Sequence, residues 1–206
     1  MAKPNKKSSA LLIIAAAIAA VFIVKYALQS SAGLTKENAR AKGNPKAAVQ
    51  ITEFLDFQCP ACALGAKQIK EYMEQNPDKF YVQLKYFPLR MHEHAYTAAR
   101  YAQCSARQGK FWPFHDLAFE RQDDWKKLTV AEPAFREMVR EIGLDIPALN
   151  VCLQDETVNE AILADKDEGR ELGVRSTPTY FINGKMIVGY KELDAEVQSL
   201  LNEEQH

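Results

Sequence analysis

The sequence contains few cysteine and histidine residues and has almost no net charge. Its 206 residues include four cysteines and four histidines, and the formal net charge is −1. Because nucleic acid attracts strongly basic surfaces, this balance gives no indication of a nucleic-acid partner. An even number of cysteines suits two pairs in an oxidising compartment. The length suits one domain of ordinary size with additional segments.

Two of the cysteines, Cys59 and Cys62, stand between an apolar run and a helical one. The β-branched and aromatic residues of 49–57 predict a strand, and the helix formers of 63–75 predict a helix. Cys59 therefore falls at a helix N-terminus, with Pro60 in the first turn, where a missing N–H does no harm. Since the positive end of a helix dipole stabilises a thiolate, we expect Cys59 to react first and Cys62 to resolve.

A Cys-x-x-Cys pair is also half of a structural zinc site. A closed site needs a second ligand pair, and Cys104 and Cys152 each stand alone in the sequence. His92-Glu93-His94 does not supply that pair, because residues two apart on a helix do not face each other. We therefore expect neither a metal nor a cofactor, and interpret residues 92–94 as a solvated helix start.

The N-terminal region has the layout of an export signal. Residues 1–9 are basic and would stay cytoplasmic, and residues 10–28 are apolar except for Lys25. A spanning helix needs about 20 apolar residues, which this segment reaches if Lys25 extends to the interface. We favour a single-pass anchor at 10–28 over a signal peptide cleaved near Ala32. The polar segment 29–45 predicts a linker.

The remaining chain, residues 46–206, predicts an α/β domain. Strand 49–57 is apolar on both faces, as in a central strand, and the helix between it and strand 80–87 makes a βαβ unit. No strand-like run follows between about 91 and 174, which indicates an all-helical insertion. Residues 176–201 then predict a strand, a return strand and a helix, with the hairpin signal Asn183-Gly184 between the strands.

Glu53 lies within the first predicted strand, on the side of Val49, Ile51 and Leu55. We expect its carboxyl group to be buried, costly unless paired, and raised in pKa. Lys85, on the next predicted strand, is a candidate partner; alternatively, both are surface residues. Asp56, three residues before Cys59, is a candidate cap for the following helix.

This element order, with Cys-x-x-Cys after the first strand, resembles the thioredoxin fold, and the helical insertion resembles the DsbA family of bacterial thiol oxidoreductases. Residues 53–62 match a common version of that family's active-site segment, and 176–179 match its cis-proline loop. The resemblance implies that Cys59 is the nucleophile, that Cys62 is the resolving thiol and that Glu53 helps Cys62 exchange its proton.

The same resemblance implies a cis peptide bond between Thr177 and Pro178, facing the cysteines. A cis bond there would turn the Thr177 backbone toward a bound peptide, which could add as a strand. The alternative is an ordinary trans proline that opens an edge strand.

The function implied is a thiol:disulfide oxidoreductase that introduces disulfides into exported proteins and is regenerated by a membrane redox partner. The sequence departs from the best-known oxidases because Pro60-Ala61 places no histidine between the cysteines. We therefore expect the helix alone to lower the Cys59 pKa and the couple to be less strongly oxidising. Alternatives are an isomerase or reductase of this fold, a non-catalytic thioredoxin-like chaperone, and a copper carrier using both thiols.

Cys104 and Cys152 fall in two different helical pieces of the insertion. We predict a second, structural disulfide between them. The alternative is two separate buried thiols, since free cysteine is among the most buried residue types.

Overall fold

The computed structural model describes residues 38–203. The predicted basic segment 1–9, the anchor or signal segment 10–28 and the cleavage position near Ala32 lie outside the described residues. Among the residues that are described, no helix combines the length and the apolar character needed to cross a membrane.

Five strands form one mixed sheet: β1 Ala41–Gly43, β2 Val49–Leu55, β3 Phe80–Tyr86, β4 Thr179–Ile182 and β5 Lys185–Val188. Their order is β1-β3-β2-β4-β5. β2 and β3 are parallel, and the other neighbouring pairs are antiparallel. The strand that leads into the cysteine pair is therefore central, as its apolar residues predicted.

Eight α-helices are described: α1 Pro60–Gln75, α2 Ala95–Arg107, α3 Phe111–Glu120, α4 Gln122–Trp125, α5 Glu132–Glu141, α6 Ile146–Gln154, α7 Glu156–Glu171 and α8 Tyr190–Glu203. α1 connects β2 to β3, and α2 to α7 lie between β3 and β4. This confirms the predicted thioredoxin-like fold with an inserted all-helical segment. The insertion's first helix begins at Ala95 rather than at His92.

The prediction that residues 29–45 form a linker is wrong for residues 38–43. Asn38–Arg40 forms a 3-10 helix, and β1 pairs with β3 at the sheet edge. The guanidinium of Arg40 makes a buried ion pair with Asp165 and lies 4.4 Å from the centre of the Tyr86 ring. These contacts are long-range, so the local composition of a three-residue strand could not reveal them.

β2 contributes to apolar clusters on both faces of the sheet. Val49, Ile51 and Leu55 join the main core, whereas Phe54 packs with Phe87 and Val174 on the other face. α7 approaches Phe54 closely at Gly169, where an added Cβ would lie 2.9 Å from the Phe54 ring. The expectation that both faces of this strand are covered is confirmed.

The predicted structural disulfide is present between Cys104 on α2 and Cys152 on α6. Their Cα atoms are 5.8 Å apart across a sequence separation of 48. The bridge therefore joins two helices within the insertion, far along the chain from the Cys59–Cys62 pair.

The predicted hairpin between β4 and β5 is also confirmed. Asn183 and Gly184 have φ values of 49° and 85°, as a two-residue type I′ turn requires. The Asn183 side chain accepts a hydrogen bond from the Gln50 N–H at 2.9 Å. This fixes β4, and the proline loop before it, against β2.

Candidate active site

Cys59 and Cys62 lie at the start of α1. Cys59 is the N-cap residue in extended conformation, and Pro60 is the first helical residue. Both cysteines are free thiols. Cys59 is 7 % exposed and Cys62 is fully buried. Only the first sulfur is therefore positioned to meet another molecule, as expected.

The environment of Cys59 favours its thiolate and lowers its pKa to about 5. The largest cause is the hydrogen bond from the Cys62 thiol, which outweighs the opposing effect of burial; Thr177 and the backbone N–H groups of Ala61 and Cys62 add to it. The expectation that the helix alone lowers this pKa is wrong, because the second cysteine contributes most.

Cys62 has the opposite character. Complete burial, followed by the hydrogen bond to Cys59 and the charges of Cys59 and Glu53, raises its pKa well above the usual range. A hydrogen bond from the Asp56 N–H to the Cys62 sulfur, at 3.5 Å, opposes this only weakly. Cys62 therefore stays protonated at neutral pH, and a base must take its proton before it can attack.

The loop before β4 completes the site around Cys59. The Thr177–Pro178 peptide bond is cis, as predicted. In its thiol form Cys59 donates a hydrogen bond to the Thr177 carbonyl at 3.3 Å. The Thr177 side chain is buried and favours the Cys59 thiolate. Two segments 118 residues apart in sequence thus meet at the Cys59 sulfur.

Glu53 is buried below the cysteines, with 1 % exposure. Its Oε1 atom has no hydrogen-bond partner among residues 38–203. Burial, and then the charge of Cys59, raise its pKa to about 8. Tyr180 lies directly opposite on β4, and its buried hydroxyl has no described partner either. The predicted burial and raised pKa of Glu53 are both confirmed.

Lys85 is not the partner of Glu53. The residue of β3 paired with Glu53 is Leu84, whereas Lys85 is paired with Phe54. Because neighbouring residues of a strand point to opposite faces, Lys85 projects away from Glu53. Its ammonium group instead makes an ion pair with Glu168 on α7.

Asp56 does not cap α1, which has no side-chain cap. One carboxylate oxygen accepts from the Gln58 N–H at 2.7 Å. The other accepts from the Leu89 N–H at 2.8 Å and contacts His92 Nδ1 at 2.7 Å. Asp56 therefore holds the loop after β3 against the active-site turn, a long-range role that sequence spacing could not reveal.

Residues 92–94 are not a solvated helix start. Besides the contact of His92 with Asp56, His94 is largely buried and its Nε2 lies 2.6 Å from the Leu128 carbonyl. The expectation failed because the loop folds back onto the active-site turn. Across residues 38–203, no three His, Cys, Asp or Glu side chains are close enough to hold a metal ion.

Gln122 was not singled out from the sequence, yet it connects the insertion to the site. Its amide nitrogen donates to the Phe57 carbonyl at 2.8 Å and to the Cys59 carbonyl at 3.0 Å. Gln58 makes a return contact, donating to the Lys126 carbonyl at 2.8 Å. These bonds fix the active-site turn against α4.

The fold is thioredoxin-like with an inserted helical segment, and Cys59 and Cys62 lie at the start of its first long helix. A family model described as thioredoxin matches residues 35–203. The chain belongs to the thioredoxin family.

Solved structures of this fold are similar over most of their length. Wolbachia pipientis alpha-DsbA1 superimposes with a TM-score of 0.69 at 23 % identity, covering 79 % of this chain and 89 % of that one. BdbD from Bacillus subtilis gives 0.67 at 21 % identity, covering 81 % of this chain and 94 % of that one.

A curated relative is the Na(+)/H(+) antiporter NhaA 3 of Salinispora tropica, which is 30 % identical over 155 residues. The match covers 75 % of this chain and 23 % of the antiporter. The chain thus spans about a quarter of the length of the curated relatives it matches.

Proposed function

We propose that this protein introduces disulfides into exported proteins by dithiol–disulfide exchange at Cys59 and Cys62. The observation that carries the proposal is the asymmetry of the pair: Cys59 reaches the surface with a pKa lowered to about 5, whereas Cys62 is fully buried with a raised pKa. A low-pKa thiol is a good leaving group, so a substrate thiolate readily displaces Cys59 from a mixed disulfide.

The reaction starts from the Cys59–Cys62 disulfide. A substrate thiolate attacks the Cys59 sulfur, a mixed disulfide forms, and Cys62 leaves as a thiolate that must take up a proton. Glu53 can donate it, because burial keeps this carboxyl mainly protonated at neutral pH. A second substrate thiolate then attacks the substrate sulfur of the mixed disulfide. Cys59 leaves as a stable thiolate, and two electrons have passed to the enzyme.

Thr177 and Pro178 are assigned to substrate binding. Proline has no N–H, and the Thr177 carbonyl already lies 3.3 Å from the Cys59 sulfur. An extended substrate segment bound along this loop would place its own cysteine at Cys59.

The reduced enzyme must return its electrons to an acceptor. We assign this role to a membrane redox partner, in keeping with export of the domain. The layout of residues 1–28 supports an extracytoplasmic domain tethered by 10–28. One of the structural neighbours is described as a periplasmic thioredoxin-like protein from Salmonella enterica. Amino-terminal sequencing of the protein from membranes tests the tether: a mature terminus near Gly33 would show cleavage instead.

The reduction potential of the Cys59–Cys62 couple, measured in glutathione redox buffers, tests the direction. If the protein is an oxidase, the reduction potential of this couple should be close to the value of about −120 mV for DsbA. A value near the thioredoxin range of about −270 mV would instead favour the reductase alternative.

Trapping separates an enzyme from a chaperone or copper carrier of the same fold. Cys62→Ser leaves Cys59 able to form mixed disulfides that cannot be resolved internally. Non-reducing gels should then show adducts with exported cysteine proteins. No adducts, together with stoichiometric Cu(I) uptake by the unaltered protein, would contradict the oxidase.

A further inference from the structure

A small inner cavity lies against Glu53. Its volume is about 20 Å³, and its lining includes Glu53, Ala66, Lys70, His115 and Asp116. A site of at least about 10–15 Å³ with two to four polar partners can hold one water molecule. The Glu53 carboxyl, which has an unpartnered oxygen in the described chain, is therefore placed to bind one.

A larger outer groove of about 290 Å³ runs between α1 and α3. Ala66, Lys70, His115 and Asp116 line both the groove and the inner cavity. These four residues form the boundary between Glu53 and the open groove. A proton that travels from Glu53 through the inner cavity meets His115 and Asp116 there.

His115 and Asp116 have the chemistry of a proton relay. His115 Nδ1 lies 2.7 Å from Asp116 Oδ1. The imidazole is buried, whereas the carboxylate is half exposed. Burial alone would raise the pKa of Asp116, but the hydrogen bond and charge of His115, with Lys42 and Lys70, lower it. Asp116 therefore stays ionised and can stabilise a protonated His115.

We infer that His115 and Asp116 are positioning residues that carry the Glu53 proton to and from solvent, through one water molecule in the inner cavity. This inference rests on the proposed function, because only exchange at Cys62 requires Glu53 to gain and lose a proton repeatedly. It explains how a carboxyl with 1 % exposure can be recharged within each turnover.

The proton balance is simple in both directions. When Cys62 leaves as a thiolate, Glu53 gives it a proton and becomes a carboxylate. The cavity water then protonates Glu53 and takes a proton back from the His115 ring, which receives another from solvent in the groove. When the Cys62 thiol attacks a mixed disulfide, the proton moves outward along the same groups.

The other groups that face Glu53 suit this exchange. The thiolate of Cys59 caps α1, the thiol of Cys62 lies on α1, and the neutral phenol of Tyr180 lies on β4. Lys42 on β1 and Lys70 on α1 line the inner cavity. Their positive charges lower the pKa of Asp116, which lines the same cavity.

The test is the reaction of the reduced, full-length protein with a dithiobis(nitrobenzoate) probe at about pH 7, where Glu53 is mainly protonated and must lose its proton before it can accept the one from Cys62. Attack by Cys59 releases one thionitrobenzoate and leaves a mixed disulfide. Attack by Cys62 releases the second and requires its proton to leave through Glu53. The first phase therefore reports the nucleophile, and the second reports the proton path.

Asp116→Asn and His115→Gln should each slow the second phase by at least about tenfold. Positioned proton transfer contributes about 10²- to 10⁴-fold to a rate, and loss of the relay should remove part of that. The first phase and the equilibrium with glutathione should change less than twofold, because a relay alters rates and not equilibria. Imidazole in the buffer should restore the second phase of His115→Gln through the outer groove. Glu120→Gln, which alters only the outer groove, is the matched control and should leave both phases unchanged.

An unchanged second phase in Asp116→Asn would overturn the inference. This variant is the safer of the two, because Asp116 is half exposed, asparagine has the same shape, and the aromatic packing around His115 is left intact. A slow second phase that imidazole does not restore, with a shifted glutathione equilibrium, would indicate a structural role and also overturn it. Absence of the first phase in the unaltered protein would contradict the proposed function itself.

Discussion

The two cysteine pairs of this chain are equally buried but occupy different kinds of position. Cys59, Cys62, Cys104 and Cys152 are exposed by 7, 0, 0 and 8 %. Cys104 and Cys152 lie within two helices that the disulfide joins. Cys59 precedes a helix and contacts the Thr177 carbonyl. Placement at a helix N-terminus beside an open loop, rather than exposure, separates a reactive pair from a structural one.

The largest expected effect comes from removing the reactive sulfur. Cys59→Ser should abolish release of both thionitrobenzoates, since a serine hydroxyl does not attack disulfides under these conditions. The double variant Cys104→Ser/Cys152→Ser should keep both phases. Residual exchange in Cys59→Ser would show that another thiol carries the reaction and would break the comparison.

The structural pair should affect stability instead. Loss of a cross-link with a sequence separation of 48 should lower the free energy of unfolding by roughly 4 kcal/mol on the chain-entropy model. Denaturant unfolding of Cys104→Ala/Cys152→Ala measures this, with the unaltered protein in the same Cys59–Cys62 redox state as control. A loss well under about 1 kcal/mol would contradict a structural role for this bridge.

The reactive pair should make stability depend on pH and redox state. In the folded, reduced form the Cys59 pKa is lowered to about 5, whereas in the unfolded chain it is about 8.5. Between these two pH values the unfolded state therefore binds more protons than the folded state. The reduced form should therefore gain on the order of a few kcal/mol over the oxidised form as pH rises from 5 to 9. Thermal unfolding of both forms across this range measures the difference. A difference that does not vary with pH would contradict a stabilised thiolate.

The buried carboxyl should have a smaller effect on rate. Glu53→Gln removes the base without changing the shape, and we expect the second thionitrobenzoate phase to slow about tenfold or more. The first phase serves as the internal control. An unchanged second phase would remove Glu53 from the mechanism.

Glu53→Gln should also alter stability with a definite sign. The folded pKa of about 8 lies above the unfolded value of about 4.3. The Glu53 carboxyl therefore contributes a loss of stability as pH rises from about 4 to 8, and the variant lacks that contribution. Measured in the oxidised form, which lacks the Cys59 thiolate, the variant should be the more stable of the two at pH 9.

The sequence predicted the features that local signals encode. The strand into Cys59, the helix start at Pro60 and the Asn183-Gly184 turn each follow from adjacent residues. The cis bond before Pro178 was predicted because its flanking residues match a family motif. Local patterns therefore sufficed for the order of the elements from β2 onward and for the helix start at which Cys59 and Cys62 lie.

The features that the sequence missed all depend on distant segments. Strand register decided that Lys85 faces away from Glu53. The loop after β3 folds back and brings His92 to Asp56. The packing of α3 brings His115 to the cavity beside Glu53. Neither spacing nor composition encodes these contacts.

The most direct test is titration of the Cys59 thiolate by its ultraviolet absorbance in the reduced protein, with Cys59→Ser as the blank. The account predicts a midpoint near pH 5, so that the sulfur is an anion throughout the neutral range. A midpoint near 8.5, the value of an unperturbed cysteine, would contradict it.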